Sequence, residues 1–160
     1  MIARINRWRP GTVGVVGLGH VGLPLALSLA ATGLLTTGFD IDRGKVAALR
    51  RGESHLADEL AAAADWFEPT TDPSRLMGLD AYVCCVPTSA TESVADTIAP
   101  FITREALVVL PAEANAAVMR RLADGSGLWP GSDFHVTRAT DLAAATRSVL
   151  SLWAPVAPAA

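Results

Sequence analysis

Six consecutive residues, Gly17-Leu18-Gly19-His20-Val21-Gly22, set glycines at the spacing G-x-G-x-x-G. The chemistry this suits is the holding of a diphosphate. Gly17 permits a tight turn, Gly19 lets phosphate approach bare backbone, and Gly22 lets a helix pack closely on the strand before it. Unpaired N–H groups at the helix start, aided by the helix dipole, then face the phosphate oxygens, with Leu18, His20 and Val21 completing the cradle. About 20 residues beyond these glycines stands Asp40, where a carboxylate can accept hydrogen bonds from both hydroxyls of an adenosine ribose. Such a carboxylate repels a 2′-phosphate, which favours NAD over NADP. Arg43 and Lys45 argue the other way, because cations here would welcome that phosphate. Lys45 equally suits screening of Asp40 or a place along the adenine edge, and NAD remains the expected cofactor.

A glycine run is a site only if the right elements flank it. Thr12–Val16 is a short apolar, β-branched run that reads as a strand buried on both faces. A helix over about His20 to Thr32 follows, stopped by Gly33. Leu35–Phe39 reads as a second strand, and Asp42 caps a helix running to Arg51. Leu56–Trp66 reads as a helix, Phe67–Thr70 as a weak strand, and Asp72-Pro73 as the opening of one helical turn. Ala81–Val86 is a clear buried strand ended by Pro87, followed by a helix over Glu92–Ile102. Then come strand Ala106–Leu110, helix Glu113–Ala123, a glycine-rich loop Asp124–Ser132, strand Phe134–Val136 and an amphipathic helix Asp141–Trp153. Strands alternating with helices predict an α/β fold: a Rossmann-type, doubly wound parallel sheet of about six strands in a single domain. Residues 1–11 form a basic lead-in with Arg4, Arg7 and Arg9, residues 12–153 the dinucleotide-binding domain, and residues 154–160 a flexible tail.

The 160 residues are 51% hydrophobic and 18% charged, which excludes general disorder. A net charge of −3 offers no basic field for nucleic acid or an anionic membrane surface. Every apolar run is broken well before the roughly 20 residues of a membrane span, and no signal peptide is legible, so the chain reads as cytoplasmic. Cys84 and Cys85 are adjacent, in a run (AYVCCV) where cysteine behaves as a small buried hydrophobe; alternation along a strand sends them to opposite faces, with Cys85 nearer the crevice. His20, His55 and His135 lack metal-ligand spacing, and no metal site is expected. His20 stands out, since in the glycine loop it can touch a phosphate or a neighbouring subunit's ligand. Glu113 is a base or a helix cap, and Arg120-Arg121 a solvated helix face.

The segments Val13–Leu29 (VGVVGLGHVGLPLALSL) and Gly38–Ser54 (GFDIDRGKVAALRRGES), followed by Thr70–Pro73 (TTDP) and Val86–Thr88 (VPT), resemble the N-terminal NAD-binding domain of UDP-glucose/GDP-mannose dehydrogenases. The resemblance covers about Thr12 to Leu110. It implies that Val21 packs beside the diphosphate, that Asp40 and Lys45 flank the adenosine ribose, and that Val86, Pro87 and Thr88 approach the nicotinamide half. Taken alone, Thr88 reads equally well as a helix-capping hydroxyl. There are departures from the family's pattern. His20 stands where the family usually has tyrosine. The segment after VPT is shortened to Ser89-Ala90-Thr91, and Pro111–Asn115 replaces a Glu-Ser-Thr-Val-Pro-type run. Gly131–Asp141 resembles the family's sixth strand without its Ser-Pro-Glu-Arg. The family's catalytic lysine and cysteine and its C-terminal sugar-nucleotide domain have no counterpart in these residues.

The expectation is therefore an NAD-binding domain of a nucleotide-sugar dehydrogenase. In one form it joins in hydride transfer on a nucleotide or sugar hydroxyl, with the substrate site supplied by a partner subunit, a homodimer crevice or a separate domain. The alternative is a catalytically incompetent module that keeps the cofactor for sensing, scaffolding or assembly. A third form leaves the cradle empty and uses the sheet for assembly. The partners implied are NAD(H), a sugar nucleotide and a further subunit.

Overall fold

The computed structural model describes residues 10–153. The basic lead-in at Arg4, Arg7 and Arg9 and the tail at 154–160 lie outside them. Six strands form one parallel sheet: β1 (Thr12–Val16), β2 (Leu35–Phe39), β3 (Phe67–Thr70), β4 (Ala81–Cys84), β5 (Leu107–Pro111) and β6 (His135–Ala139), in the order β3-β2-β1-β4-β5-β6. The chain starts in the middle, winds outward to β3, returns to β4 beside β1 and winds outward again. Between β1 and β4 the winding reverses, and at such a point the loops after the strands diverge to leave a crevice.

The central strands β1, β4 and β5 form because their side chains are apolar and buried on both faces. In β4, Ala81 and Val83 enter a core shared with α1 (Gly22–Ala31) and α6 (Leu142–Leu150). Tyr82 and Cys84 enter the opposite core, with α4 (Thr91–Ile98) and α5 (Ala116–Ser126). Two further helices, α2 (Arg43–Arg50) and α3 (Ala57–Ala62), connect β2 to β3. Asp42 caps α2 by accepting from the Lys45 amide at 3.0 Å, and Asn115 and Asp141 cap α5 and α6 in the same way. Gly33, with φ of 87°, follows the end of α1.

Several elements differ in extent from the sequence expectation: the strand expected over Ala81–Val86 ends at Cys84, and the helices expected over Leu56–Trp66 and Glu92–Ile102 span Ala57–Ala62 and Thr91–Ile98. Helix α5 begins three residues later than Glu113 and runs through Asp124 and Gly125 to Ser126, where a loop was expected. A Cβ on Gly125 would lie 2.6 Å from that of Ala99, so this glycine gives close helix packing instead of a break. Strand β6 extends to Ala139 rather than ending at Val136, because its pairing with β5 continues until Pro111 meets Ala139.

One buried phenol ties the lower end of the sheet together. The Tyr82 hydroxyl donates toward the Leu76 carbonyl at 2.7 Å, lies 3.0 Å from the Phe101 carbonyl and accepts from the Leu79 amide at 3.2 Å. No helix among the described residues is long and apolar enough to cross a membrane.

Candidate functional site

The loop from β1 to α1 lies at the point where the sheet's winding reverses. Gly17 has φ of 95°, and a Cβ there would lie 2.4 Å from the Cys85 carbonyl oxygen. At Gly22 a Cβ would come within 1.6 Å of the Gly17 carbonyl oxygen, so both positions exclude any side chain. Gly19 is different: nothing lies within 4 Å of its added Cβ. The loop is therefore closed against the protein at its two ends and open to solvent in its middle. Among the described residues, the amides of Gly19, His20, Val21 and Gly22 have no protein acceptor. These are the first-turn donors of α1, at the positive end of its dipole.

The Leu18 amide, read from sequence as part of the cradle, is engaged elsewhere. It donates to Asp40 Oδ2 at 2.9 Å, and the Leu18 side chain is buried in the core. Asp40 also accepts from the Asp42 amide (2.9 Å) and from Lys45 Nζ (2.8 Å). Burial pushes its carboxyl up, but the bonds from Lys45, Asp42 and Leu18 and the Lys45 charge outweigh this and hold it below the ordinary aspartate value. Asp40 thus stays ionised and is held rigidly beside the loop. Two of its three donors sit on Oδ2, which leaves Oδ1 the more available oxygen.

Hollows open on both sides of the loop. The smaller, of about 140 Å³, is lined by Gly17, Asp40, Ile41, Val86, Ser93 and Thr97, and Ile41 is 84% exposed at its edge. The larger, of about 810 Å³, lies above the ends of β4, β5 and β6; Gly19, His20 and Val21 form one wall, and Asp141 and Leu142 at the start of α6 form another. Val86 lines both, and Pro87 lines the larger. Thr88 lies just outside both, exposed in a short 3-10 turn, and its hydroxyl makes no bond capping α4. Glu113 is also exposed and lines neither hollow.

Both cysteines contribute to the larger hollow, although from sequence only Cys85 was placed near it. Burial pushes the Cys84 thiol up to about 11. Burial together with the neighbouring Cys84 pushes Cys85 up to about 12. Neither is a thiolate near neutral pH, so neither is an activated nucleophile. No group of three or more potential metal ligands occurs among the described residues. Sequence reasoning missed Asp141 as a wall of the hollow and His55 as a neighbour of His20, because both arrive through packing between distant helices. The sequence placed Asp141 at the start of the last helix, but not where that start would stand.

Sheet order, glycine loop and acid after β2 together define a dinucleotide-binding domain of the Rossmann class. Residues 11–136 match the NAD-binding domain of the UDP-glucose/GDP-mannose dehydrogenase family, and the chain belongs to that family. It is 30% identical over 129 residues to UDP-N-acetyl-D-mannosamine dehydrogenase of Salmonella typhi, covering 70% of this chain and 30% of that protein. It is 31% identical over 130 residues to NDP-N-acetyl-D-galactosaminuronic acid dehydrogenase of Ralstonia nicotianae, covering 71% and 30%. Among solved structures, UDP-D-ManNAc dehydrogenase of Pyrococcus horikoshii superposes with a TM-score of 0.73 at 26% identity, over 80% of this chain and 35% of that one. NDP-N-acetyl-D-galactosaminuronic acid dehydrogenase of Methanosarcina mazei gives 0.72 at 27%, over 82% and 34%. The chain thus spans about a third of the length of these relatives, the part that includes the NAD-binding domain.

Proposed function

We propose that this chain binds NAD(H) across Gly17–Gly22 and serves as the cofactor-holding part of a dehydrogenase acting on a nucleotide-linked sugar. The observation that carries the reading is the contrast within the loop: a methyl group has no room at Gly17 or Gly22 and open space at Gly19. That contrast fits a diphosphate laid on bare backbone, received by the amides of Gly19 to Gly22. The adenosine would extend toward Asp40, Lys45 and Ile41, and the nicotinamide toward Val86, Pro87 and, just beyond the lining, Thr88. Bound there, NAD supplies a hydride acceptor; the residues of this chain bind it, orient it and shield one side of the ring with the apolar ends of β4 and β5. Calorimetric titration checks this directly. NAD or NADH is expected to bind about tenfold or more tightly than NADP, because the Asp40 carboxylate opposes a 2′-phosphate. Equal or reversed preference would remove the role given to Asp40.

The two raised thiols favour a second element of the reading: residues 10–153 hold the cofactor without supplying an activated nucleophile. Hydride transfer on a sugar nucleotide then draws its catalytic groups from a further domain or subunit, in a soluble, cytoplasmic assembly. The alternative is an NAD-binding module for sensing or scaffolding. Following NADH absorbance with UDP-glucose and UDP-N-acetyl-D-mannosamine separates the two, and the expectation for these 160 residues alone is no turnover. Sustained turnover would overturn it.

A further inference from the structure

A diphosphate carries negative charge, yet among the described residues no lysine or arginine lines the larger hollow. Among the described residues that line it, His20 is the one basic residue and Asp141 the one carboxylate. The His20 ring does not stand alone. Its centroid lies 6.3 Å from that of His55, with the planes inclined by 52°. His55 comes from the segment between α2 and α3, so two sequence-distant imidazoles meet beside the glycine loop. Both are exposed, and among the described residues neither makes a hydrogen bond or an ion pair. Their ring nitrogens are available to a ligand.

The charged groups around them are otherwise occupied or lie to one side. Arg51 and Glu53 form a bidentate pair with each other. Asp58 and Glu59 lie in the first turn of α3, and Asp40 and Lys45 pair on the far side of the loop. Asp141 stands across the hollow and caps α6. Among the described residues no acid is joined to either imidazole, while one acid shares the hollow with His20.

We propose that His20 and His55 form a titratable cation at the diphosphate site, so that NAD binding takes up protons near neutral pH. This rests on the reading that the diphosphate lies on the glycine loop. Two imidazolium charges at this separation oppose each other, and an anion beside them favours the charged form of both. His20, within the loop, touches the phosphate. His55 is a positioning residue that governs how readily His20 carries its charge. Asp40 and Asp141 are held below the ordinary carboxylate value, and the thiols lie at about 11 and about 12. The third imidazole, His135, begins β6 at the other end of the sheet, 3.6 Å from Glu105.

The experiment is calorimetric titration of the full chain with NAD, whose diphosphate is doubly esterified and does not titrate here. It is run at about pH 8 and about pH 6, each in buffers of different ionisation enthalpy. The expected result is binding about fivefold tighter at the lower pH, with net proton uptake, as suits a charge-assisted contact in a partly solvated place. His20→Gln and His20→Tyr abolish the pH dependence. His55→Gln lessens it, and His135→Gln, remote from the loop, leaves both the affinity and its pH dependence unchanged. In proton NMR, the imidazole C–H signals of His20 and His55 move with NAD, which a purely structural role would not produce. Measurable NAD affinity with no pH dependence, or a dependence that survives His20→Gln, overturns the proposal alone. Absence of NAD binding at every pH overturns the underlying reading and the proposal with it. Should a variant fail to fold, proton uptake by the unaltered chain decides.

Discussion

Gly19 and Gly22 stand three positions apart in one loop and tolerate a side chain in opposite ways. At Gly22 an added carbon collides with the Gly17 carbonyl oxygen, so even Gly22→Ala must force α1 away from β1 and is expected to cost several kcal/mol. At Gly19 an added carbon meets no protein atom within 4 Å. Gly19→Val is therefore expected to fold with a stability change of about 0.5 kcal/mol or less. Its isopropyl group fills the approach to the first-turn amides, and NAD affinity is expected to fall by about tenfold or more, equivalent to roughly 1.4 kcal/mol. Denaturant melts and NAD titration of the two variants read these effects separately. A destabilised Gly19→Val would mean that the loop is packed where it appears open, and unchanged affinity would mean that the cofactor avoids it. Asp40 is harder to divide in this way. Its carboxylate holds Leu18, Asp42 and Lys45 in place, so replacing it disturbs the loop and the ribose site together.

At the scale of elements, the sequence was most legible where local pattern and long-range packing agree. β1 and β4 are short apolar runs with turn residues at their ends, and the structure finds them paired at the centre of the sheet. Asp42 was readable as a cap because capping is settled within a few residues. Gly125 was not readable. As a local signal it breaks helices, and its purpose appears only when Ala99, twenty-six positions earlier, packs against it. The far end of β6 was hidden for the same reason: Thr137, Arg138 and Ala139 are strand because β5 lies beside them, not because of their own types. The candidate site divides along this line. Its glycines and its acid are fixed by spacing and were legible. The Leu18 amide bond, the approach of His55 to His20 and the wall at Asp141 depend on how α1, α3 and α6 meet, which no local rule contains.

Taken whole, the molecule carries ionisable groups that limit it at both ends of the pH range, through their bonded partners at the acid end and through burial at the alkaline end. At the acid end, the Asp40 carboxyl is lower in the folded state than in the unfolded chain. Its contribution is fully present above the ordinary aspartate value of about 3.9 and disappears as pH falls through the lower folded value. At the alkaline end the sign reverses. Tyr82 is pushed up to about 12 by burial, and Cys84 and Cys85 to about 11 and about 12. The folded protein keeps protons that the unfolded chain has already released, so stability falls as pH rises above about 8.5, the ordinary thiol value. Tyr82 is the only tyrosine in the sequence, which makes its ionisation visible without ambiguity. Its hydroxyl joins three backbone groups, and a phenolate could no longer donate to the Leu76 and Phe101 carbonyls. Tyrosinate absorbance is therefore expected to appear together with the loss of helical circular dichroism, well above the ordinary phenol value of about 10. Tyr82→Phe leaves those backbone groups without their partner and is expected to cost about 1–3 kcal/mol in urea melts near neutral pH. A phenol that titrates near its ordinary value while the helices persist would show that β4 does not bury it, and the packing of α4 and α5 against the sheet would then need to be redrawn.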